Sequence, residues 1–87
     1  MGMVDVHATV FKPFYDIDGR KYIDLEFENK IVRVKVPFRY NRVMCHVLGL
    51  KTIQEFVKGD KVFAFIEDKK WGSELFPVLM SIREKHD

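Results

Sequence analysis

Residues 22–37, with the sequence YIDLEFENKIVRVKVP, decide the fold of this chain because they can be written as a β-hairpin. A two-residue turn at Asn29-Lys30 predicts apolar pairs on one face and pairs of opposite charge on the other. The apolar pairs are Phe27 with Val32, Leu25 with Val34 and Ile23 with Val36; on the other face Glu26 meets Arg33, Asp24 meets Lys35 and Tyr22 meets Pro37. A slip of one residue would bury the charges and expose the valines, so we expect a strongly specified register. The hairpin predicts a two-faced antiparallel sheet with a charge-matched solvent face.

The size and composition of the chain fit one small domain over residues 1–87. Of its residues, 47% are hydrophobic and 14% are aromatic, which is enough to form a core. No apolar run approaches the roughly 20 residues that span a bilayer, and the N-terminal sequence MGMVDVHATV lacks the features of a signal peptide. The single cysteine, Cys45, excludes an internal disulfide and suits a reducing compartment. We therefore expect a cytoplasmic protein with no membrane contact.

Charge is distributed unevenly along this slightly basic chain, whose formal net charge is +2. Residues 1–29 contain three basic and six acidic side chains, a balance of −3, whereas residues 30–87 contain twelve basic and seven acidic ones, a balance of +5. A basic segment of this kind is typical of proteins that bind polyanions, although the basic third strand also matches the acidic second one. The single glutamine and two asparagines, among many lysines and glutamates, resemble the usage of thermophile proteins.

Alternating patterns, turn residues and helix signals predict the remaining elements. The predicted order is a strand at 3–11, a connection at 12–21 with a tight turn at Asp18-Gly19, strands at 21–28 and 30–38, a helical segment at 41–58, a strand at 61–67, a loop at 68–73 and a last strand at Glu74–Glu84. Gly49 is expected to break the helical segment. Thr52 followed by Glu55 matches a capping box, which predicts the start of a short second helix.

Five strands with a helix between the third and the fourth have the order of the OB-fold, a small partly open barrel. In this order the chain resembles OB-fold domains over nearly its whole length. The residues Gly59-Asp60-Lys61-Val62, where the chain enters the fourth strand, look like the same point in many single-stranded nucleic-acid binders of that fold. We therefore expect a mainly β, five-stranded OB-fold-like barrel. An SH3-like barrel and another α+β sheet with a helix across one face are the alternatives.

The resemblance implies a binding face across the second and third strands, between the loop that joins strands one and two and the loop that joins strands four and five. Both loops combine cations with aromatic rings, which neutralise phosphates and stack on bases. We therefore expect binding of single-stranded DNA or RNA with little sequence preference. The cations expected to contact phosphates are Arg20, Lys21, Arg39, Arg42, Lys69 and Lys70, and the rings expected to stack on bases are Tyr15, Tyr40 and Trp71. The alternative role for Trp71 is a buried lid over the barrel end.

Residues with catalytic or metal-binding chemistry lack the spacing that such sites need. Turn formation explains Asp16 and Asp18, and His7, His46 and Cys45 are spread without metal-ligand spacing. The sequence contains no glycine-rich phosphate loop and no nucleophile elbow. We therefore expect a protein that is not an enzyme and that needs no metal or cofactor.

A protein-interaction or assembly subunit, built as an OB-like or SH3-like barrel, is the alternative function. Phe63 and Phe65 give the fourth strand a second apolar face, and Phe11 and Tyr22 would extend it into a patch where a protein partner or a second copy docks. The position of the aromatic rings distinguishes the two functions. Rings beside exposed cations favour nucleic acid, whereas a flat apolar patch without cations favours a protein partner.

Overall fold

The computed structural model describes residues 3–37, 40 and 51–85, in which five strands close into a barrel. The strands are β1 (Met3–Ile17), β2 (Arg20–Phe27), β3 (Lys30–Lys35), β4 (Lys61–Trp71) and β5 (Glu74–Glu84). Around the barrel their order is β1-β2-β3-β5-β4, and β4 pairs back with β1. Neighbouring strands are antiparallel except β3 and β5, which run parallel where Lys35 lies opposite Val78. The prediction of a mainly β, five-stranded barrel of the OB type is confirmed.

Alternation along each strand fills the barrel interior with aliphatic side chains. On β4, Val62, Ala64 and Ile66 are buried, whereas Phe63 and Phe65 lie on the outward face and are half-buried, as the pattern predicts. The buried core consists of Ala8, Val10, Ile23, Leu25, Val34, Val36, Ile53, Phe56, Val62, Ala64, Ile66 and Leu79. The outward strand faces therefore carry the aromatic and charged side chains that a ligand can reach.

Strand β1 is longer than the sequence pattern indicates, because residues 12–17 continue the strand instead of forming a connection. Its first half pairs with β4 and its second half with β2, so it spans two sides of the barrel. Register shifts after Val10 and after Lys12 interrupt the pairing with β2, as β-bulges do. Pro13 lies in this irregular stretch, where a strand tolerates proline. The predicted turn at Asp18-Gly19 is confirmed, with φ values of 53° and 81°.

The β2–β3 hairpin has its predicted faces but a register that differs by two residues. Its two-residue turn is Glu28-Asn29 instead of Asn29-Lys30, so Leu25 lies opposite Val32 instead of Val34. Because side chains alternate with a period of two, a shift of two residues leaves the apolar face inside and the polar face outside. The predicted register is therefore wrong, although the assignment of residues to faces is right.

The backbone of this turn is left-handed at both of its residues. Glu28 and Asn29 have φ values of 54° and 63°, as in the type I′ turn, whose twist matches that of two antiparallel strands. Asn29 suits this conformation, since asparagine tolerates the left-handed region, but it belongs to the predicted turn as well as to the observed one.

The same shift changes the pairs on the outward face of the hairpin. Arg33 lies opposite Asp24, and Lys35 lies opposite Tyr22. The predicted pairs of Arg33 with Glu26 and of Lys35 with Asp24 are therefore wrong. The correct register brings a guanidinium group, rather than an ammonium group, opposite Asp24.

The helical segment predicted over residues 41–58 is described only from residue 51 onward, so its first part lies outside the described residues. The second helix predicted at the capping box is a single 3₁₀ turn, Ile53–Glu55. The Glu55 carboxylate accepts a hydrogen bond from the Thr52 N–H at 2.7 Å, as a capping box requires. Phe56 is already extended, and its side chain and that of Ile53 are both 1% exposed. With about three residues per turn, the 3₁₀ geometry allows both side chains to enter the core.

The segment 68–73, predicted as a loop, belongs mostly to a long β4–β5 hairpin. Strand β4 continues to Trp71, and a two-residue turn at Gly72-Ser73 leads into β5. Gly72 has a φ of 63°, which glycine adopts without strain. Pro77 on β5 lies opposite Asp68. In the part of the chain that the structure describes, no helix has the length and apolarity needed to cross a membrane.

Candidate nucleic-acid interface

Two tyrosines stack on the outward face where β1 pairs with β2. Tyr15 lies opposite Tyr22, and their ring centroids are 5.6 Å apart with the planes inclined by 33°. Tyr22 is 8% exposed, whereas Tyr15 is half-buried and presents part of its ring to solvent. The pair therefore forms an aromatic platform with Tyr15 as its accessible member.

Two exposed cations from different strands lie over this platform. The Arg33 guanidinium carbon, on β3, is 5.8 Å from the Tyr15 ring centre and 5.3 Å from that of Tyr22. The Lys12 Nζ, on β1, is 4.2 Å from the Tyr15 ring centre. We call Lys12, Tyr15, Tyr22, Asp24 and Arg33 the Tyr15 cluster. It combines the two groups that a nucleic-acid strand requires, a flat ring and positive charge.

Asp24 fixes the orientation of the Tyr15 ring. The Tyr15 hydroxyl donates a hydrogen bond to Asp24 Oδ1 at 2.6 Å. Burial raises the pKa of the Tyr15 hydroxyl, the hydrogen bond and negative charge of Asp24 raise it further, and Arg33 partly opposes this effect. The hydroxyl therefore stays protonated at neutral pH and remains a donor to Asp24.

The predicted cations Arg20 and Lys21 lie at the start of β2, next to the β1–β2 turn, and both are exposed. Lys21 Nζ is 3.5 Å from a carboxylate oxygen of Asp16 and donates to the carbonyl of Gly19 at 3.4 Å. By alternation Arg20 shares the face of Tyr15 and Tyr22 at these strand ends, whereas Lys21 lies on the opposite face, where Asp16 reduces its positive charge.

The other predicted site residues lie elsewhere or outside the described residues. Lys69 and Lys70 are exposed near the end of β4, and Lys69 Nζ is 3.9 Å from a Glu67 carboxylate oxygen. Trp71 ends β4 opposite Glu74. The Tyr40 side chain is half-buried and packs against the core. Arg39 and Arg42 lie outside the described residues.

The β1–β2 and β4–β5 turns lie at opposite ends of the candidate face. Strand β2 begins beside the end of β3, so Asp18-Gly19 lies beyond Lys35. Strand β5 runs parallel to β3, so Gly72-Ser73 lies toward the start of β3. A single ligand that contacted both turns would have to cross the β2–β3 face.

Two of the aromatic residues that suggested an apolar patch, Phe63 and Phe11, lie beside basic side chains. Phe63 meets the His7 ring edge-to-face at 4.5 Å, and the Arg83 guanidinium carbon is 4.7 Å from the Phe63 ring centre. Phe11 is 39% exposed, and Lys58 Nζ is 5.2 Å from its ring centre. The outward face of β1, β4 and β5 is therefore not a flat apolar patch without cations.

A shallow groove of about 410 Å³ opens between the start of β1, the tip of the β2–β3 hairpin and the β4–β5 hairpin. Its apolar lining includes Val4, Val6 and Phe27, and its rim carries Glu28 and Asp68. This groove has more negative charge than the Tyr15 cluster and does not match a polyanion.

Lys12, Tyr22 and Arg33 are site residues that were not predicted from the sequence. The tyrosine pair could have been predicted from the turn at Asp18-Gly19. The third residue before this turn is Tyr15 and the third residue after it is Tyr22, and these two residues pair. Because residues 12–17 were predicted to be a connection, this strand pairing was missed.

This fold is shared by several solved chains. The chain superposes with a TM-score of 0.65 and 11% sequence identity on a chain from the structure of a replication protein A heterotrimer bound to single-stranded DNA, covering 100% of this chain and 60% of that one. It superposes with a TM-score of 0.65 and 14% identity on a chain of the S. pombe Stn1–Ten1 complex, covering 98% of this chain and 59% of that one. The chain thus spans about three-fifths of each matched chain. At these identities the similarity shows the OB-type fold alone.

No protein-family model matches the chain, and neither does any curated protein.

Proposed function

We propose that this protein binds single-stranded DNA or RNA with little sequence preference, without catalysing a reaction, through the outward face of β1, β2 and β3. The observation that carries the proposal is the Tyr15 cluster, where a partly accessible aromatic ring has the Lys12 and Arg33 cations 4.2 and 5.8 Å from its centre. Rings stack on any base and cations neutralise any phosphate, so such a surface holds a single strand without selecting its sequence.

The roles of the residues follow from their positions. Tyr15 stacks on a base, and Tyr22 supports it from beneath because its own ring is buried. Lys12 and Arg33 contact the phosphates that flank the stacked base. Further contacts are proposed for the residues that the sequence analysis singled out, namely Arg20, Lys21, Arg39, Tyr40, Arg42, Lys69, Lys70 and Trp71.

Acidic side chains limit the strength of this binding. Asp16 is paired with Lys21, and Asp24 accepts the Tyr15 hydroxyl hydrogen bond beside Arg33. Both carboxylates repel a phosphate backbone at short range. Affinity should therefore depend on stacking as well as on phosphate contacts, and it should fall as salt concentration rises.

Two observations favour nucleic acid over a protein partner. The half-buried Tyr15 ring and the exposed Phe11 ring lie beside cations, which is the arrangement expected for a nucleic-acid surface. In addition, the replication protein A structure that shares this fold is described as bound to single-stranded DNA, which supports the same ligand class for this chain.

An assembly subunit is the second candidate, and the groove beside the β2–β3 hairpin favours it. Val4 at the groove is 49% exposed, and Val6 and Phe27, which also line it, are half-buried. Two solved structures that share the fold, the replication protein A heterotrimer and the Stn1–Ten1 complex, are assemblies of several subunits. A protein partner of this kind would dock at the groove and leave the Tyr15 cluster free.

Fluorescence anisotropy of labelled oligo-dT, oligo-U and duplex DNA, at two salt concentrations, tests the proposed function. We expect salt-sensitive binding to both single strands, weaker binding to the duplex, and quenching of Trp71 emission if the β4 end contacts the strand. Absence of binding at low salt would overturn the nucleic-acid proposal and leave the assembly subunit as the better hypothesis.

A further inference from the structure

A second group of cations and aromatic rings lies on the outward face of β1, β4 and β5. The strand registers form two rows on this face. In the first row, His7 on β1 lies opposite Phe63 on β4, which in turn lies opposite Arg83 on β5. In the second row, Thr9 on β1 lies opposite Lys61 on β4. The Lys85 N–H donates to the Lys61 carbonyl at 2.9 Å, which brings Lys85 to the end of the second row. We call His7, Lys61, Phe63, Arg83 and Lys85 the Phe63 cluster.

The ring at the centre of this cluster is accessible and surrounded by positive charge. Phe63 is half-buried, with the Arg83 guanidinium carbon 4.7 Å and the Lys85 Nζ 5.8 Å from its ring centre. Lys61 Nζ donates to the Thr9 hydroxyl at 3.1 Å. The arrangement repeats that of the Tyr15 cluster on a different side of the barrel.

Among the residues that the structure describes, the cations of the Phe63 cluster form no ion pair with a carboxylate. The ion pairs formed within residues 3–37, 40 and 51–85 involve Lys21, Lys30, Lys51 and Lys69, and none of them involves Lys61, Arg83 or Lys85. The nearest acidic residues in sequence have other partners.

Those acidic residues are Glu84 and Asp60. Glu84 pairs with Lys51 Nζ at 2.8 Å, and the Asp60 carboxylate accepts a hydrogen bond from the Val57 N–H at 3.0 Å. The Phe63 cluster therefore has a higher uncompensated positive charge than the Tyr15 cluster, where Asp24 contacts the ring hydroxyl.

A β-bulge connects the two clusters along β1. Val10 pairs with Leu25 and Lys12 pairs with Asp24, so Phe11 is the extra residue of the bulge. Both Phe11 and Lys12 are exposed. The bulge thus presents two consecutive side chains to solvent, and a continuous surface leads from Tyr15 past Lys12 and Phe11 toward the Phe63 cluster.

We infer that the outward face of β1, β4 and β5 is a second binding surface for the same nucleic-acid strand, which passes from the Tyr15 cluster over the bulge to the Phe63 cluster. This inference rests on the proposed function. Arg83, Lys85 and Lys61 contact phosphates. Phe63 stacks on a base once the side chains of Arg83 and Lys85 move from its ring to the phosphates of the nucleic-acid strand. A strand of about 6 nucleotides occupies the first surface only, whereas one of about 20 nucleotides occupies both, since OB folds bind roughly 4–16 nucleotides each.

Salt-dependent binding of short and long oligo-dT by the double variant Arg83→Gln/Lys85→Gln tests this inference. Each lost phosphate contact lowers the slope of log affinity against log salt by about 0.7 for a single strand. For the oligonucleotide of about 20 nucleotides we expect the slope to fall by about 1.4 and the affinity to fall severalfold at 0.1 M salt. For the oligonucleotide of about 6 nucleotides we expect neither to change.

Lys30→Gln is the matched control for Lys85→Gln, since each substitution removes one lysine charge. Lys30 is suitable because it already pairs with Glu28 at 4.0 Å. Lys30→Gln should bind both lengths as the unmodified protein does, and thermal unfolding confirms that every variant is folded. If folded Arg83→Gln/Lys85→Gln binds the long strand with unchanged affinity and slope, the second surface is refuted while the proposed function stands. If the unmodified protein binds neither length, the proposed function itself fails.

Discussion

Substitution of Tyr15 separates the stacking role of its ring from the structural role of its hydroxyl. The ring is half-buried against Tyr22, with Lys12 Nζ 4.2 Å from its centre. Stacking of one base on an aromatic side chain is worth about 1–3 kcal/mol by alanine substitution. Because about 1.4 kcal/mol corresponds to a tenfold change, Tyr15→Ala should weaken oligo-dT binding by about 5- to 150-fold. Tyr15→Phe keeps the ring and should change the affinity by less than about threefold.

The hydroxyl contributes to stability instead of to binding. Tyr15→Phe removes the 2.6 Å hydrogen bond to Asp24, whose carboxylate keeps Arg33 as its cross-strand neighbour. A hydrogen bond to a charged group is worth about 1.5–3 kcal/mol, and partial exposure places this one at or below the lower limit. We therefore expect Tyr15→Phe to lower the free energy of unfolding by about 1 kcal/mol in urea denaturation.

This stabilisation should depend on pH in the alkaline range. Burial and then Asp24 raise the pKa of the Tyr15 hydroxyl above its ordinary value of 10.0. A group with a raised pKa in the folded state contributes stability that is fully present below the unfolded pKa and is lost as pH rises through the folded pKa. The difference in free energy of unfolding between the unmodified protein and Tyr15→Phe should thus be constant from about pH 7 to about pH 9 and should shrink above about pH 10.

Anisotropy titrations with labelled oligo-dT at fixed salt, together with urea denaturation of each variant, measure both roles. If Tyr15→Ala folds and binds as tightly as the unmodified protein, Tyr15 does not stack on a base. If Tyr15→Phe loses as much affinity as Tyr15→Ala, the hydroxyl itself contributes to binding, and the separation of roles is refuted.

The barrel core, the β2–β3 turn and the end of β4 each provide one further prediction. Leu25→Ala removes a fully buried side chain and should lower the free energy of unfolding by about 2–5 kcal/mol; a loss below about 1 kcal/mol in urea denaturation would contradict its packing in the core. Glu28→Gly removes the strain of a left-handed backbone and should raise the free energy of unfolding by up to about 1 kcal/mol, whereas Lys30→Gly should lower it. If Lys30→Gly stabilised the protein and Glu28→Gly destabilised it, the turn would lie one residue later. Lys69→Ala and Lys70→Ala should each reduce the salt slope of oligo-dT binding by about 0.7, and an unchanged slope would remove that lysine from the site.

The order of the strands and their inward faces could be predicted because side-chain alternation is a local signal. Val62, Ala64 and Ile66 alternate with Phe63 and Phe65, and the structure buries the first set and turns the second outward. An error of two residues in register does not disturb such a pattern, so the faces are predicted more reliably than the pairs.

The predicted second helix at residues 52–58 is wrong because packing overrides the local signal. The capping box at Thr52 and Glu55 does form a turn, as its hydrogen bond shows. The turn stops at Phe56 because that side chain enters the barrel core and its backbone becomes extended. The sequence of residues 52–58 does not show that this turn lies against the barrel core.

The candidate site was harder to predict than the core because it depends on register as well as on face. A shift of two residues leaves Leu25 inside the barrel, but it changes the cross-strand neighbour of Asp24 from Lys35 to Arg33. That exchange places a guanidinium group over both tyrosine rings. Either register keeps apolar side chains inside the barrel, whereas a binding surface is defined by which individual side chains meet. The Tyr15 cluster therefore follows from the positions of two turns, and an error at the second turn was enough to assign Arg33 to a charge pair with Glu26 instead of to the site.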